Sequence, residues 1–360
     1  MTNINSGGDY MDAQASVKVD IQNGVGWIKL NRPQALNSLN VEMVETISTQ
    51  LKEWQTDNKI ALICIHGEGS KGFCAGGDMR KLYDLKNTGI ENYAERFFST
   101  EYQLDYNIHH YPKPILVYMN GIVMGGGVGL SIGASHRIVT ETTKWAMPEM
   151  NIGFFPDVGA SYFLNRMPGH VGRYLALTAN ILKAGDVFYV GAGDYYLEST
   201  KWDGVIKEIN ETNWYLESAH QKLNLILEKS CITPEPSSSI KLLQKKIDEH
   251  FHFNTLEEII ASLEESAHKG DEWAQATVDI ILSKSPTSLK VTLYQLQEGK
   301  LKSLKECLDM EMNLAMNFMK SHDFYEGIRS VLVDKDYNPK WEPISFNSVT
   351  EDKVTSFFQS

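Results

Sequence analysis

The sequence predicts an α/β core followed by a helical C-terminal region, and three observations carry that expectation. Two short apolar runs, Ala61–Ile65 and Ile115–Met119, have the length and side-chain content of buried strands. A glycine-rich loop and then a helical pattern follow each of them, the order that builds packed parallel strands. Beyond about residue 200 the apolar period becomes that of helices: Leu223, Ile226 and Leu227, then Leu256, Ile259, Ile260 and Leu263, then Leu289, Leu293 and Leu296.

In chain order, residues 1–14 are polar and are expected to be disordered, residues 15–200 to form the α/β core, and residues 201–360 the helical part. Val17 to Leu30 reads as a strand pair turning at Asn23-Gly24, a hairpin signal. Asn40 is placed to cap a helix that runs through Trp54, with Met43, Ile47, Leu51 and Trp54 at helical spacing. The strand at Ala61–Ile65 leads into a glycine-rich loop that lasts to Asp78. A helix from about Tyr93 to His110 is stopped by Pro112 and Pro114, which cannot continue one. The strand Ile115–Met119 leads into a second glycine turn and a helix. Thr233 to Ser239, rich in Pro and Ser, reads as a break between helices.

With 360 residues, 42% of them hydrophobic and 22% charged, the chain can bury a sizeable core. Its net charge of −12 repels nucleic acid and anionic membranes, so neither is an expected partner. An acidic ligand would need local basic groups and backbone N–H donors to overcome the same field. The four cysteines, Cys64, Cys74, Cys231 and Cys307, include no C-x-x-C pair. That spacing argues against a zinc ribbon or a disulfide framework and fits a reduced compartment. The opening MTNINSGGDYMDAQ has neither an apolar signal segment nor an Arg-rich amphipathic one, so a cytoplasmic location is expected.

Several motifs invite chemistry that their context does not support. Gly67 to Gly72 matches G-x-G-x-x-G, but a dinucleotide site needs a helix to open at once, and Phe73 to Asp78 still reads as loop. Gly129-Leu130-Ser131-Ile132-Gly133 matches G-x-S-x-G, yet Ser131 falls inside a helix rather than on a strand-to-helix turn. His109-His110 and His250-Phe251-His252 lack zinc-ligand spacing and read as exposed helix histidines, so no metal is expected. Lys241 to Glu249 reads as a solvated helix face.

Two glycine loops are more informative. Phe73-Cys74-Ala75-Gly76-Gly77-Asp78 and Met124-Gly125-Gly126-Gly127-Val128-Gly129 each follow an expected strand. Glycines let backbone approach a ligand closely, and a helix opening after Gly125 leaves N–H donors free. Two such donors converging on one oxygen form an oxyanion hole. These loops, with Asn120 to Gly127 and the early Asn31-Arg32-Pro33-Gln34-Ala35-Leu36-Asn37-Ser38-Leu39, resemble the crotonase superfamily. The resemblance implies a crotonase-like spiral of ββα units, with an acyl-CoA thioester curled over the first loop and its carbonyl held by the peptide N–H groups of Cys74 and Gly126. Arg32 and Lys71 lie close enough in sequence to be contacts for CoA phosphates.

The reaction is narrowed by the acids. The superfamily's hydratases carry one glutamate two residues after the glycine triplet, where this chain has Gly129, and a second that matches Glu149 in Met147-Pro148-Glu149. Eight residues on lies Asp157, in Phe155-Pro156-Asp157-Val158-Gly159, where hydratases usually carry a small residue. Met147-Pro148-Glu149 and Gly153 to Gly159 resemble the 3-hydroxyisobutyryl-CoA hydrolase family. So do Phe97-Phe98 with Glu101-Tyr102, Ser285 to Lys290, Asp323 to Arg329, Asp334-Lys335-Asp336 and Pro339-Lys340-Trp341. The match spans roughly Val17 to Trp341. It implies hydrolysis of 3-hydroxyisobutyryl-CoA, and also of 3-hydroxypropionyl-CoA, with Glu149 and Asp157 catalytic and Glu101, Gly126, Glu149 and Asp157 contacting substrate. CoA is part of the substrate and no cofactor is implied. The resemblance also implies a tendency to self-associate. Two alternatives stay open: an isomerase or hydratase of the same superfamily, and a CoA-binding or assembly protein without turnover. Taken alone, Asp157 reads better as a cap of the helix that carries Tyr162 and Phe163.

Overall fold

The computed structural model describes residues 15–215, 218–231 and 238–359. The expected disorder of residues 1–14, and most of the Thr233–Ser239 break, lie outside them.

The hairpin forms as β1 (Val17–Gln22) and β2 (Val25–Leu30), antiparallel, with Asn23 at φ +46° and Gly24 at φ +81° in the turn. Both central residues have the positive φ that a tight turn between twisted strands requires. Asn40 caps α1 (Val41–Thr56), its Oδ1 accepting from the Met43 N–H at 2.9 Å. Next come β3 (Leu62–Gly67), β4 (Gly72–Cys74), α2 (Met79–Asp84) and α3 (Ile90–His109). They are followed by β5 (Ile115–Met119), β6 (Ile122–Met124) and α4 (Gly126–Ile132). Then come β7 (His136–Val139), β8 (Lys144–Ala146), a 3-10 turn at Glu149–Ile152 and α5 (Ala160–Phe163).

From β3 onward, successive strands alternate between two sheets. The larger runs β1-β2-β3-β5-β7-β9, with β9 at Tyr195–Tyr196, and the smaller runs β4-β6-β8. Past the hairpin the strand-to-strand pairings among the described residues are parallel. Each turn of the chain thus lays one strand in each sheet and then a helix, which is the ββα spiral. The apolar strand runs have a direct cause. One face of the large sheet packs on the main core, and the other, with Trp27, Leu62, Cys64, Leu116, Tyr118 and Ile138, is covered as well. Its cover is α8 (Trp202–Glu211) and α9 (Ala219–Ser230), which follow α6 (Val171–Thr178) and α7 (Ala184–Tyr189). A sheet buried on both faces reads as continuous hydrophobic runs.

The remaining helices are α10 (Ser239–Phe251), α11 (Leu256–His268), α12 (Glu272–Leu282), α13 (Pro286–Gly299), α14 (Leu304–Phe318) and α15 (His322–Ile328). They bury their stripes in the main core. Of these, α14 lies on α3, α13 on α5, and α15 on the Glu149–Ile152 turn. One expectation is corrected here. His250 is buried, with Nδ1 2.8 Å from Ser262 Oγ, because its face of α10 turns inward, whereas His252 is exposed. Among the described residues no helix is long and apolar enough to cross a membrane.

Candidate active site

Two glycine segments meet at the centre of the spiral. The first follows β4, and Gly76 there has φ +101°, a conformation that glycine adopts without strain. A Cβ on Gly76 would stand 3.2 Å from the Met124 carbonyl and 3.5 Å from Gly126 N. Gly126 is the first residue of α4, so its N–H has no acceptor within the helix. The Cys74 carbonyl lies where a Cβ of Gly127 would be. Burial pushes the Cys74 thiol up to about 12, so its side chain is a poor nucleophile. Arg32, expected near the CoA phosphates, is tied into the first loop: it donates to Asp78 Oδ2 at 3.0 Å and to the Ser38 carbonyl at 2.7 Å. Lys71 is exposed.

Carboxylates press on the glycine wall. A Cβ on Gly125 would sit 2.7 Å from Glu149 Oε1, and one on Gly126 would collide with Glu101 Oε1. Glu101 is 1% exposed, Glu149 5% and Asp157 3%. Glu149 Oε2 and Glu101 Oε1 have no hydrogen-bond partner among the described residues. Tyr102 donates to Asp157 Oδ2 at 2.9 Å. Asp157 does not cap α5; the residue before that helix is Gly159, which has no side chain to cap it. The four predicted side chains and backbone groups other than Cys74's are therefore gathered around Gly125 and Gly126 or held next to Tyr102. Ser131 lies inside α4 and donates to the Gly127 carbonyl at 2.9 Å, an ordinary helix contact.

Burial raises the pKa of every acid in this group, since it penalises the charged form. Glu149 is pushed well above the usual carboxylate range by burial and then by the charge of Asp157. Glu101 moves the same way for the same two reasons. Asp157 rises to about 7, burial outweighing the Tyr102 hydrogen bond.

Sequence reasoning missed the residues that brace the 149–159 segment. Glu311 on α14 accepts from the Gly159 N–H at 2.7 Å, the Ser161 N–H at 2.9 Å and the Ser161 hydroxyl at 2.6 Å. Gln295 on α13 donates to the Pro156 carbonyl at 2.7 Å. Asp157 is thus gripped on both sides. The downstream motifs back the other end. Gly153 has φ +63° and lies against the Asp323 carbonyl, and Gly327 lies against Ile152. Ser285 donates to Asp323 Oδ2 at 2.5 Å. Asp105 was also missed: it sits one turn beyond Glu101 on α3 and is buried against Gly129. A signal existed for Asp105 and Glu311. Each is an acid on the apolar face of its own helix.

Comparison with known proteins places this geometry. The enoyl-CoA hydratase/isomerase family model matches residues 25–358. The chain is 40% identical over 354 residues to "3-hydroxyisobutyryl-CoA hydrolase, mitochondrial" of Rattus norvegicus, covering 96% of this chain and 89% of that protein. It is 40% identical over 338 residues to "Small ribosomal subunit protein mS47" of Neurospora crassa, covering 89% of this chain and 66% of that protein. Among solved structures, a carnitinyl-CoA dehydratase from Mycobacterium thermoresistibile superposes with a TM-score of 0.88 at 37% identity, covering 96% of both chains. The hydrolase relatives are named as mitochondrial, and this overturns the cytoplasmic location expected from the first residues. That expectation rested on the composition of residues 1–14, which is not evidence of a compartment.

Proposed function

The chain belongs to the enoyl-CoA hydratase/isomerase family, within which it matches the 3-hydroxyisobutyryl-CoA hydrolases, and on that premise we propose that it hydrolyses 3-hydroxyisobutyryl-CoA to the free hydroxy acid and CoA, a step of valine breakdown. The observation that carries the reading is the pair Glu149 and Asp157: both are buried, one is pressed on the glycine wall and the other is held by Tyr102. Peptide N–H groups of Cys74 and Gly126 hold the thioester oxygen as it gains charge, a contribution of about 3–4 kcal/mol per donor. Glu149 either attacks the carbonyl, giving an anhydride that water then opens, or takes the proton from the attacking water. Asp157 carries a proton at the same centre or binds the substrate's 3-hydroxyl, and Glu101 contacts that hydroxyl from the Gly126 side. Gly129 leaves the chain without the first acid of the two-glutamate hydratases, which favours hydrolysis over hydration.

3-Hydroxypropionyl-CoA, one methyl smaller, is a second substrate, since an apolar pocket discriminates a methyl only modestly. The reaction as drawn uses no metal or prosthetic group; dialysis against EDTA is expected to leave the rate unchanged, and a lost rate restored by a divalent cation would refute that. Binding without turnover is the second reading, kept by the identity to a ribosomal subunit protein. The deciding measurement is free-thiol release from 3-hydroxyisobutyryl-CoA beside crotonyl-CoA hydration. Thiol release without hydration is the expected result. Crotonyl-CoA hydration without thiol release would move the chain to the hydratases, and CoA binding with neither activity would establish the second reading.

A further inference from the structure

The structure holds a buried acid that the proposed chemistry does not use. Helix α3 presents Glu101, Asp105 and His109 at intervals of four, so the three follow one face from the glycine wall outward. Asp105 is 5% exposed, and neither of its oxygens has a hydrogen-bond partner among the described residues. A Cβ on Gly129 would stand 2.7 and 2.8 Å from those oxygens. On its other side Asp105 borders a cavity of about 220 Å³, lined also by His109, Gly129, Val158, Tyr162 and Arg166. Val158, the chain neighbour of Asp157, is in the same lining, so the cavity borders the segment that carries that acid. Most of its lining is apolar, but Asp105, His109, Tyr162 and Arg166 offer polar partners on which water can be held there.

We propose that this cavity is the proton exit of the active site and that Asp105 carries protons into it from Glu101. The inference rests on the hydrolase reading. Thioester and water give a carboxylic acid and a thiol; the acid then ionises, and one proton must leave while CoA fills the front of the site. The proton passes from the product carboxyl to Glu101, then across a bridging water to Asp105, then to cavity water and His109. Each hop forms one O–H or N–H bond and breaks one, with no change of oxidation state. The groups facing Asp105 are Glu101 and His109 on its own helix, Asp157, Glu311 on α14, and Arg137 and Arg166 around the cavity. Burial, then the charges of Glu101, Asp157 and Glu311, holds the Asp105 carboxyl well above the ordinary range, so that it takes a proton more readily than an exposed aspartate.

The test is Asp105→Asn, which keeps the shape and removes the proton exchange. Its kcat on 3-hydroxyisobutyryl-CoA is expected to fall about tenfold with KM unchanged, below the full effect of losing an acid–base group. Added imidazole, small enough for the cavity, should restore kcat in proportion to its concentration, a response that a merely structural role would not give. Unchanged kcat, or a slow variant that imidazole does not help, would overturn the relay. If the variant does not fold, the wild type carries the test: a curved dependence of kcat on deuterium fraction supports several protons in flight, and a linear one overturns the relay. A wild type that releases no thiol would remove the hydrolase reading and the relay together, whereas failure in the Asp105 arm alone leaves the hydrolase reading standing.

Discussion

Among the described residues nothing hydrogen-bonds one oxygen of Glu149 while its other lies against Gly125, so its substitution tests chemistry more than packing. Glu149→Gln preserves the volume and removes the charge; kcat is expected to fall by about 10²–10⁴, with KM little changed, as measured by thiol release. Near-normal turnover by that variant would refute its role. The two routes open to Glu149 separate in heavy-oxygen water under single-turnover conditions. An anhydride opened by attack at the Glu149 carbonyl leaves label in that side chain, and direct attack of water on the thioester leaves label only in the product. The raised pKa also sets the pH dependence. The carboxylate must be ionised to act, so kcat/KM should climb with pH along a limb displaced above the usual glutamate range, and a limb near the ordinary value of 4.5 would contradict the buried setting. Gly126→Ala tests the wall itself. Its Cβ would collide with Glu101 Oε1, and Glu101 is fully buried with little room to yield. Turnover should fall at least tenfold, because displacing a reacting group by even 1 Å costs on that order or more.

At the scale of elements, the 149–159 segment is held from outside itself. Glu311 satisfies three donors at the start of α5, and Gln295 holds Pro156. Glu311→Gln turns one acceptor oxygen into a donor facing another donor, so it should lose about 2 kcal/mol of stability. It should also lower kcat more than it raises KM, since Asp157 is positioned through this contact. Denaturant unfolding and steady-state kinetics read the two effects, and a variant as stable and active as the wild type would show that Glu311 is not the brace. This dependence explains what was legible beforehand. Strands β3 and β5, the cap at Asn40 and the turn at Asn23-Gly24 are written in neighbouring residues, and they form where the pattern puts them. Glu101, Glu149 and Gly126 were found through motifs, each a run of adjacent residues. Glu311 and Gln295 act across 150 and 139 residues of chain on backbone groups that no motif marks. A lone acid in an apolar stripe says that something must satisfy it, not what. The downstream stretches Ser285 to Lys290 and Asp323 to Arg329 were legible as matches only. Their physical sense, backing for Gly153 and Ile152, comes from the fold.

Across the whole molecule, Glu101, Asp105, Glu149, Asp157 and Glu311 are buried in one region of a chain that already carries a net charge of −12. Each has its pKa raised, mainly by burial, with Asp157 at about 7 and Glu311 at about 8. A raised carboxyl pKa means that the folded state holds its proton more tightly than the unfolded chain does. The associated stability is fully present below the unfolded values, near 4, and is lost as pH rises through the folded ones, about 7 and 8. His66 works in the opposite sense. Burial holds it at about 4, so its share is present above 6.5 and is lost as pH falls through about 4. From pH 6.5 to 8 Asp157 and Glu311, at ~1.4 kcal/mol per pH unit each, should together lower the unfolding free energy by a few kcal/mol. Urea unfolding at pH 6.5, 7.2, 8 and 9 measures this. Asp157→Asn should remove the part of the fall that ends near pH 7, leaving the part due to Glu311. A flat profile from pH 6.5 to 9 would mean that the acids keep their ordinary values. Hydrolysis needs Glu149 ionised and therefore gains as pH rises, the direction in which the fold weakens, so the protein should be most active on the alkaline side of its most stable pH.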